Sequence, residues 1–249
     1  MFDAHLHYSQ TDADEFRPRD ILDQLDANNI SHAVVIGKPS AHLSSLYQLA
    51  PQRTRPLLSI YREHGDKETW VNDETLPAFV EQELDQGHWA GIGELHIFAK
   101  DCGSPVFKSL VEIAAERGLP MLIHGDPAVI DTLYQIAPHQ SVIWAHAGTY
   151  PYPDLVTDYL RRYPKLMIDV SMRDERIAPN GVINDAWFEL FVTYSDRVMV
   201  GVDTYTTSRW RALDNATRNI RRWLAQLPKD VARKLAFHNA ARIYRIRID

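Results

Sequence analysis

Six side chains in this sequence have the types and spacing to hold divalent cations and activate water. His5 and His7 stand two residues apart in an apolar run. On an extended strand both imidazoles turn to one face and can reach one cation. Glu94 lies inside the apolar run Gly91-Ile92-Gly93-Glu94-Leu95-His96-Ile97-Phe98, where a carboxylate with neither a cation nor a hydrogen-bond partner carries a large desolvation cost. His124 follows Met121-Leu122-Ile123, His146 follows Trp144-Ala145, and Asp203 follows Val200-Gly201-Val202. Each alone reads equally well as a hydrogen-bonded core or rim residue. Together, imidazoles and carboxylates at the ends of apolar runs are what a hydrolytic zinc-type centre requires.

Such residues need a frame that gathers strand ends. Short apolar runs alternate with longer segments of helical periodicity along the whole chain, with no Gly/Ser linker or low-complexity break. The pattern predicts strands at 2–8, 33–36, 56–61, 91–98, 121–125, 141–147, 166–171 and 198–203. It predicts helices at 18–29, 75–86, 104–117, 127–136, 152–162, 184–194 and 208–227, with Ser104 as a cap and Gly118 as a stop. Alternating strands and helices in 249 residues predict one domain, 1–249, of the α/β class: a single (β/α)8 TIM barrel. The first strand leads into no glycine-rich phosphate loop, which counts against a dinucleotide-binding sheet.

In an α/β barrel the active site forms at the carboxyl-terminal ends of the strands, so position along a strand sorts the other polar residues. His32, His88 and His139 precede strands and His238 begins the last short helix, so all four read as structural or surface residues. His42 and His64 follow strands, but nothing in their spacing marks them. His96 shares a strand face with Glu94 and is a candidate to support it; Asp3 is the same for the first-strand histidines. Asp169 and Ser171, at the end of the seventh strand, are candidates to line the pocket. Arg62 and Arg173 follow the third and seventh strands and are the candidate substrate-binding residues, because guanidinium grips a carboxylate or phosphate through two bonds. Each also reads as a solvated loop arginine. The expected partner is a small-molecule substrate, anionic if these arginines face it.

A formal net charge of -6 gives the chain no overall electrostatic footprint for nonspecific nucleic-acid binding. The basic stretch Arg218-Asn219-Ile220-Arg221-Arg222-Trp223 reads as a solvated helix face. Cys102 is the only cysteine, which excludes an intramolecular disulfide and a multi-cysteine zinc site and fits a reducing compartment. No apolar run approaches the roughly 20 residues of a membrane span, and the opening residues show no charged-then-apolar leader. The expectation is a cytoplasmic protein without a membrane partner; oligomeric state is not legible.

These residues resemble the amidohydrolase superfamily of barrel hydrolases over nearly the whole chain. Asp3-Ala4-His5-Leu6-His7 is similar to its first-strand metal motif, and His124, His146 and Asp203 fall on the strands where that superfamily places its remaining histidines and its aspartate. The tail Asn239-Ala240-Ala241-Arg242-Ile243-Tyr244 is similar to the closing helix of the branch with aminocarboxymuconate semialdehyde decarboxylase and several lactonases. Gly91-Ile92-Gly93-Glu94 instead resembles the fourth-strand segment of TatD-like deoxyribonucleases, where a glutamate bridges two metals. The segment Gly201-Val202-Asp203-Thr204-Tyr205 lacks both the run usual in the TatD branch and the proline common in the decarboxylase branch.

The resemblance implies a metal-dependent hydrolase acting on an ester, lactone, amide or phosphoester bond. Its expected cofactor is two divalent ions, Zn2+ first and Mn2+ or Fe2+ as alternatives. His5, His7 and Asp203 would take one ion, His124 and His146 the other, with Glu94 between them and Asp203 moving the proton. With Glu94 outside the ligand set, one metal on His5, His7, His124 and Asp203 leaves His146 as the acid or base, an arrangement that suits lactone hydrolysis or nonoxidative decarboxylation. A TatD-like nuclease and a metal-dependent binding protein without turnover are the remaining alternatives.

Overall fold

The computed structural model describes residues 1–63 and 65–247, so His64 lies outside the described residues. Eight parallel strands follow one another around the sheet: β1 (Phe2–His7), β2 (His32–Ile36), β3 (Thr54–Leu58), β4 (Gly91–Ile97), β5 (Met121–Gly125), β6 (Val142–Trp144), β7 (Leu166–Asp169) and β8 (Val198–Met199). Sequential parallel pairing links each strand to the next. The ring is drawn together by two further bonds, Ala4 N–H to Val200 O at 2.9 Å and Asp203 N–H to His5 O at 2.7 Å. The expected (β/α)8 barrel is therefore present.

The helices lie where periodicity and caps predict them. Pro105–Glu116 begins after Ser104, whose hydroxyl accepts from Phe107 N–H, and Pro127–Ile136 coincides with its predicted span. The predicted 208–227 helix is two pieces, Thr207–Arg211 and Leu213–Leu224. The predicted sixth and eighth strands are too long, because the chain turns into left-handed backbone at His146 and Asp203 and can no longer hold a ladder.

The period of two along each strand produces two cores. Outward residues such as Ile123, Trp144 and Ile168 pack beneath the helices. Inward residues, Phe2, Ala4, Val34, Leu57, Leu122, Ile143, Met167 and Met199, fill the barrel and meet Ala240, Ala241 and Tyr244 of the C-terminal segment. On β5 the inward row runs Leu122 then His124, and on β7 it runs Met167 then Asp169. An apolar plug thus carries a polar layer at one end.

β1 and β4 break the alternation. Both lose register with their neighbours, between Asp3 and Leu6 and between Ile92 and Leu95. Each irregularity re-aims a side chain, as bulges do: Phe2 and Ala4 already face inward on β1, yet His5 and His7 also reach the mouth. In β4 the bend needs Gly93, whose φ is 148° and where a Cβ would stand 2.7 Å from both Cβ and O of Leu122. Glu94 follows it and turns inward. None of the described helices is long and apolar enough to cross a membrane.

Candidate metal centre

The layer above the plug holds all six predicted ligands. His5 Nε2 and His7 Nε2 stand 3.2 Å apart. Asp203 Oδ1 is 3.3 Å from His7 Nε2 and 3.8 Å from His5 Nε2, and Glu94 Oε2 is 3.5 and 3.6 Å from the same two atoms. The other oxygen, Oε1, is 3.0 Å from His124 Nδ1 and 3.2 Å from His146 Nε2. Asp203 Oδ2 lies 3.8 Å from His146 Nε2. Tetrahedral zinc with bonds of about 2.0–2.1 Å sets neighbouring ligand atoms roughly 3.3 Å apart, close to these spacings.

Hydrogen bonds behind the ligands set their tautomers. Ser171 N–H and Oγ–H both donate to Asp169 Oδ1, and the other carboxylate oxygen, Oδ2, accepts from His5 Nδ1 at 3.2 Å. With its one hydrogen given to Asp169, the Ser171 hydroxyl accepts from His146 Nδ1 at 2.8 Å. His5 and His146 therefore carry their protons on Nδ1 and turn Nε2 lone pairs toward Glu94 and Asp203. Lone pairs facing carboxylate oxygens repel unless a proton or a metal cation lies between them. Asp203 Oδ1 is buried and has no hydrogen-bond partner of its own.

The charge balance points the same way. Burial opposes charge on His5, yet Asp169, Glu94 and Asp203 raise its pKa well above the ordinary value. His7 is raised as well, burial again being outweighed by Asp203 and Glu94. Burial pushes Asp203 up, but His5 and His7 hold it at about 2; Glu94 is held well below the usual carboxylate range against the same burial penalty by His5, His124 and His146. The cluster is built to stabilise positive charge, and metal cations are a chemical fit to its donor set.

Backbone strain collects here too. His146, Ala147, Met172 and Asp203 have φ between 54° and 63° without being glycine, a conformation that costs on the order of 1–3 kcal/mol per residue and persists where surroundings enforce it. Gly201 permits the approach of β1, since a Cβ there would stand 2.8 Å from His5 Cβ. Asp3 Oδ1 accepts from His5 N–H and Val202 N–H at 3.0 and 3.1 Å and so ties the first strand to the last.

The ligands open into a cavity of about 420 Å3. His96 lines it, 3.6 Å from Glu94 Oε2, and is held by the Tyr61 hydroxyl; burial depresses its pKa to about 3, so it is neutral. Arg173 also lines the cavity, although its Nε and Nη2 donate to His146 O and Gly148 O. Arg62, expected as a substrate clamp, is not among the lining residues; Asp73 and Thr75 hold its guanidinium and Phe79 covers it. Asp169 and Ser171 do not line the pocket either; both are fully buried behind the histidines. Sequence reasoning missed Lys38 and Lys67, which do line the cavity. The signal for Lys38 was its place two residues past the end of β2, the same filter that selected the ligands. His32, by contrast, stacks on Phe2 at the other end of the barrel.

A search of curated protein sequences finds no match. Solved structures with the same fold include a proposed 2-pyrone-4,6-dicarboxylic acid hydrolase from Pseudomonas putida, 17% identical with a TM-score of 0.71, covering 100% of this chain and 98% of that one. An amidohydrolase from Burkholderia multivorans with bound zinc is 13% identical, with a TM-score of 0.63 and 99% of each chain covered. A TatD homologue from Escherichia coli K12 is 12% identical, with a TM-score of 0.67, covering 98% of this chain and 97% of that one. At these identities the likeness speaks for the barrel alone. The family model described as amidohydrolase matches residues 80–246, more than half of the sequence and all of β4 to β8. The chain belongs to the amidohydrolase family.

Proposed function

We propose that this enzyme is a metal-dependent hydrolase of small molecules, with two divalent cations at its barrel mouth, zinc first among them. The observation that carries the reading is the split of Glu94: Oε2 faces His5 and His7, while Oε1 faces His124 and His146. One carboxylate between two imidazole pairs is a bridge between two ligand sets. In this reading His5, His7 and Asp203 would hold one ion and His124 and His146 the other, with Glu94 able to serve both. The zinc of the Burkholderia multivorans amidohydrolase supports the choice of metal.

The chemistry that cations held there would supply is acidification of water and polarisation of the carbonyl or phosphoryl oxygen of an ester, lactone, amide or phosphoester. Asp203 stays ionised at neutral pH and is the residue able to take the proton and pass it to the leaving group. Its Oδ2 is turned toward His146, which keeps the carboxylate at the centre. Asp169 and Ser171 keep the imidazole tautomers correct while this happens.

Metal content per chain together with a turnover panel tests the proposal. About two ions per chain with hydrolysis of an ester, lactone, amide or phosphoester is the expected result. A ratio near one moves Glu94 out of the ligand set and His146 into the acid–base role. Full metal occupancy without turnover across the panel would make the chain a binding protein, and cleavage of single-stranded DNA with a steep salt dependence would make it a nuclease.

A further inference from the structure

Beyond the histidines, the metal cavity runs into a second hollow of about 510 Å3 over the loops that follow β1, β2 and β3; Ser9, Lys38, Lys67 and Tyr205 line both. Two ammonium groups therefore stand between the centre and the outer hollow. Among the described residues Lys38, Lys67, Lys165 and Lys229 form no ion pair with a carboxylate, and of these Lys38 and Lys67 line the cavity. Lys38 is half-buried, with Nζ 4.6 Å from the centroid of the Tyr61 ring. Burial first, and then the charge of Lys67, push its pKa down against the opposing charges of Glu94 and Glu68. The two ammonium groups face one cavity with no carboxylate among the described residues within ion-pair distance of either, and an anion bound between them relieves their mutual repulsion.

We propose that Lys38 and Lys67 form a carboxylate-binding subsite that holds the far end of the substrate while the bond to be cut lies at the metal centre. This rests on the hydrolase reading of the same cavity. A monoanionic carboxylate is favoured over a phosphate dianion because Glu63 and Glu68 line the outer hollow as well and repel a dianion about twice as strongly. Arg173 has already given Nε and Nη2 to backbone carbonyls, so the lysines are the cations available at that end. Met172 and Tyr205, 38% and 58% exposed at the mouth, offer apolar surface to the body of such a substrate.

Calorimetric titration of glutarate, and of its uncharged diamide, into zinc-loaded and chelator-stripped protein tests the subsite without relying on turnover. Glutarate is expected to bind both forms, with the diamide at least about tenfold weaker. The double variant Lys38→Met, Lys67→Met should weaken glutarate about tenfold or more and retain its zinc. Lys67 is exposed, so Lys67→Met alone gives a version that folds and should show a smaller loss in the same direction. Equal glutarate affinity in wild type and double variant, or tighter binding of methyl phosphate than of glutarate, overturns the proposal. The hydrolase reading is judged separately by comparing p-nitrophenyl hemisuccinate with p-nitrophenyl butyrate. Lysine-dependent glutarate binding without hydrolysis of either ester leaves the subsite standing and removes ester hydrolysis from the proposed activity, whereas hydrolysis with no preference for the hemisuccinate removes the subsite and keeps the hydrolase.

Discussion

Replacing Asp169 by asparagine changes one atom in a residue that touches no solvent, and its effect should appear in metal affinity. In the native arrangement Oδ1 serves Ser171 while Oδ2 accepts the Nδ1 proton of His5 at 3.2 Å. Asparagine has a single carbonyl oxygen. If that oxygen stays with Ser171, the amide NH2 faces His5 Nδ1, which can then only accept. The imidazole proton moves to Nε2, among the ligands, where it competes with a cation. Losing a buried bond to a charged acceptor costs about 1.5–3 kcal/mol, a factor of roughly 10–100 in affinity, the range found when partners of metal-bound histidines are changed. Competition with a chromophoric chelator measures this, and circular dichroism of the metal-free variant reports whether the barrel is intact. A folded variant with metal affinity within about twofold of wild type would refute the tautomer argument.

Asp203→Asn keeps the size and one oxygen ligand but removes the proton acceptor, so kcat should fall about 100-fold or more with metal content near wild type; full kcat with full metal would pass the acid–base role to His146. His5→Ala and His7→Ala should each strip metal and abolish activity in a folded barrel, as checked by elemental analysis, since both sit above the apolar plug. His139→Ala, on the loop before β6 at the opposite face, should retain both; metal loss there would contradict the placement of the site. Gly93→Ala should destabilise the protein by on the order of 3 kcal/mol in urea unfolding, because its Cβ would stand 2.7 Å from Leu122 atoms; an unchanged midpoint would show that β4 can straighten without cost.

The arrangement explains why strain and charge gather at one end of an otherwise ordinary barrel. Below the mouth, inward residues are apolar and need no partner. Above it, His5 and His146 are fixed from behind by Asp169 and Ser171, and Glu94 and Asp203 face imidazole nitrogens. Left-handed backbone at His146 and Asp203 drops both side chains into the layer where β6 and β8 have already ended. The strain is held in place by bonds such as Asp203 N–H to His5 O and Arg173 to His146 O.

The sequence by itself determined the eight strands, most of the helices and the six converging side chains, because these rest on local physics. Period-two burial, caps such as Ser104, and polar residues ending apolar runs are properties of neighbouring residues. What only the tertiary structure decided depends on contacts between distant segments. The bulges that turn His5 and Glu94 inward exist because neighbouring strands pair with slipped register. The role of Asp169 depends on a bond to a histidine 164 residues away, and nothing near either residue announces it. Arg62 and Lys38 show the same limit from two sides. Both follow strands, but Arg62 meets an acidic partner on its own loop and is held there, while Lys38 forms no ion pair among the described residues and faces the cavity. Where a long side chain points is set by the charges folding brings within its reach, and those charges are arranged by the barrel as a whole.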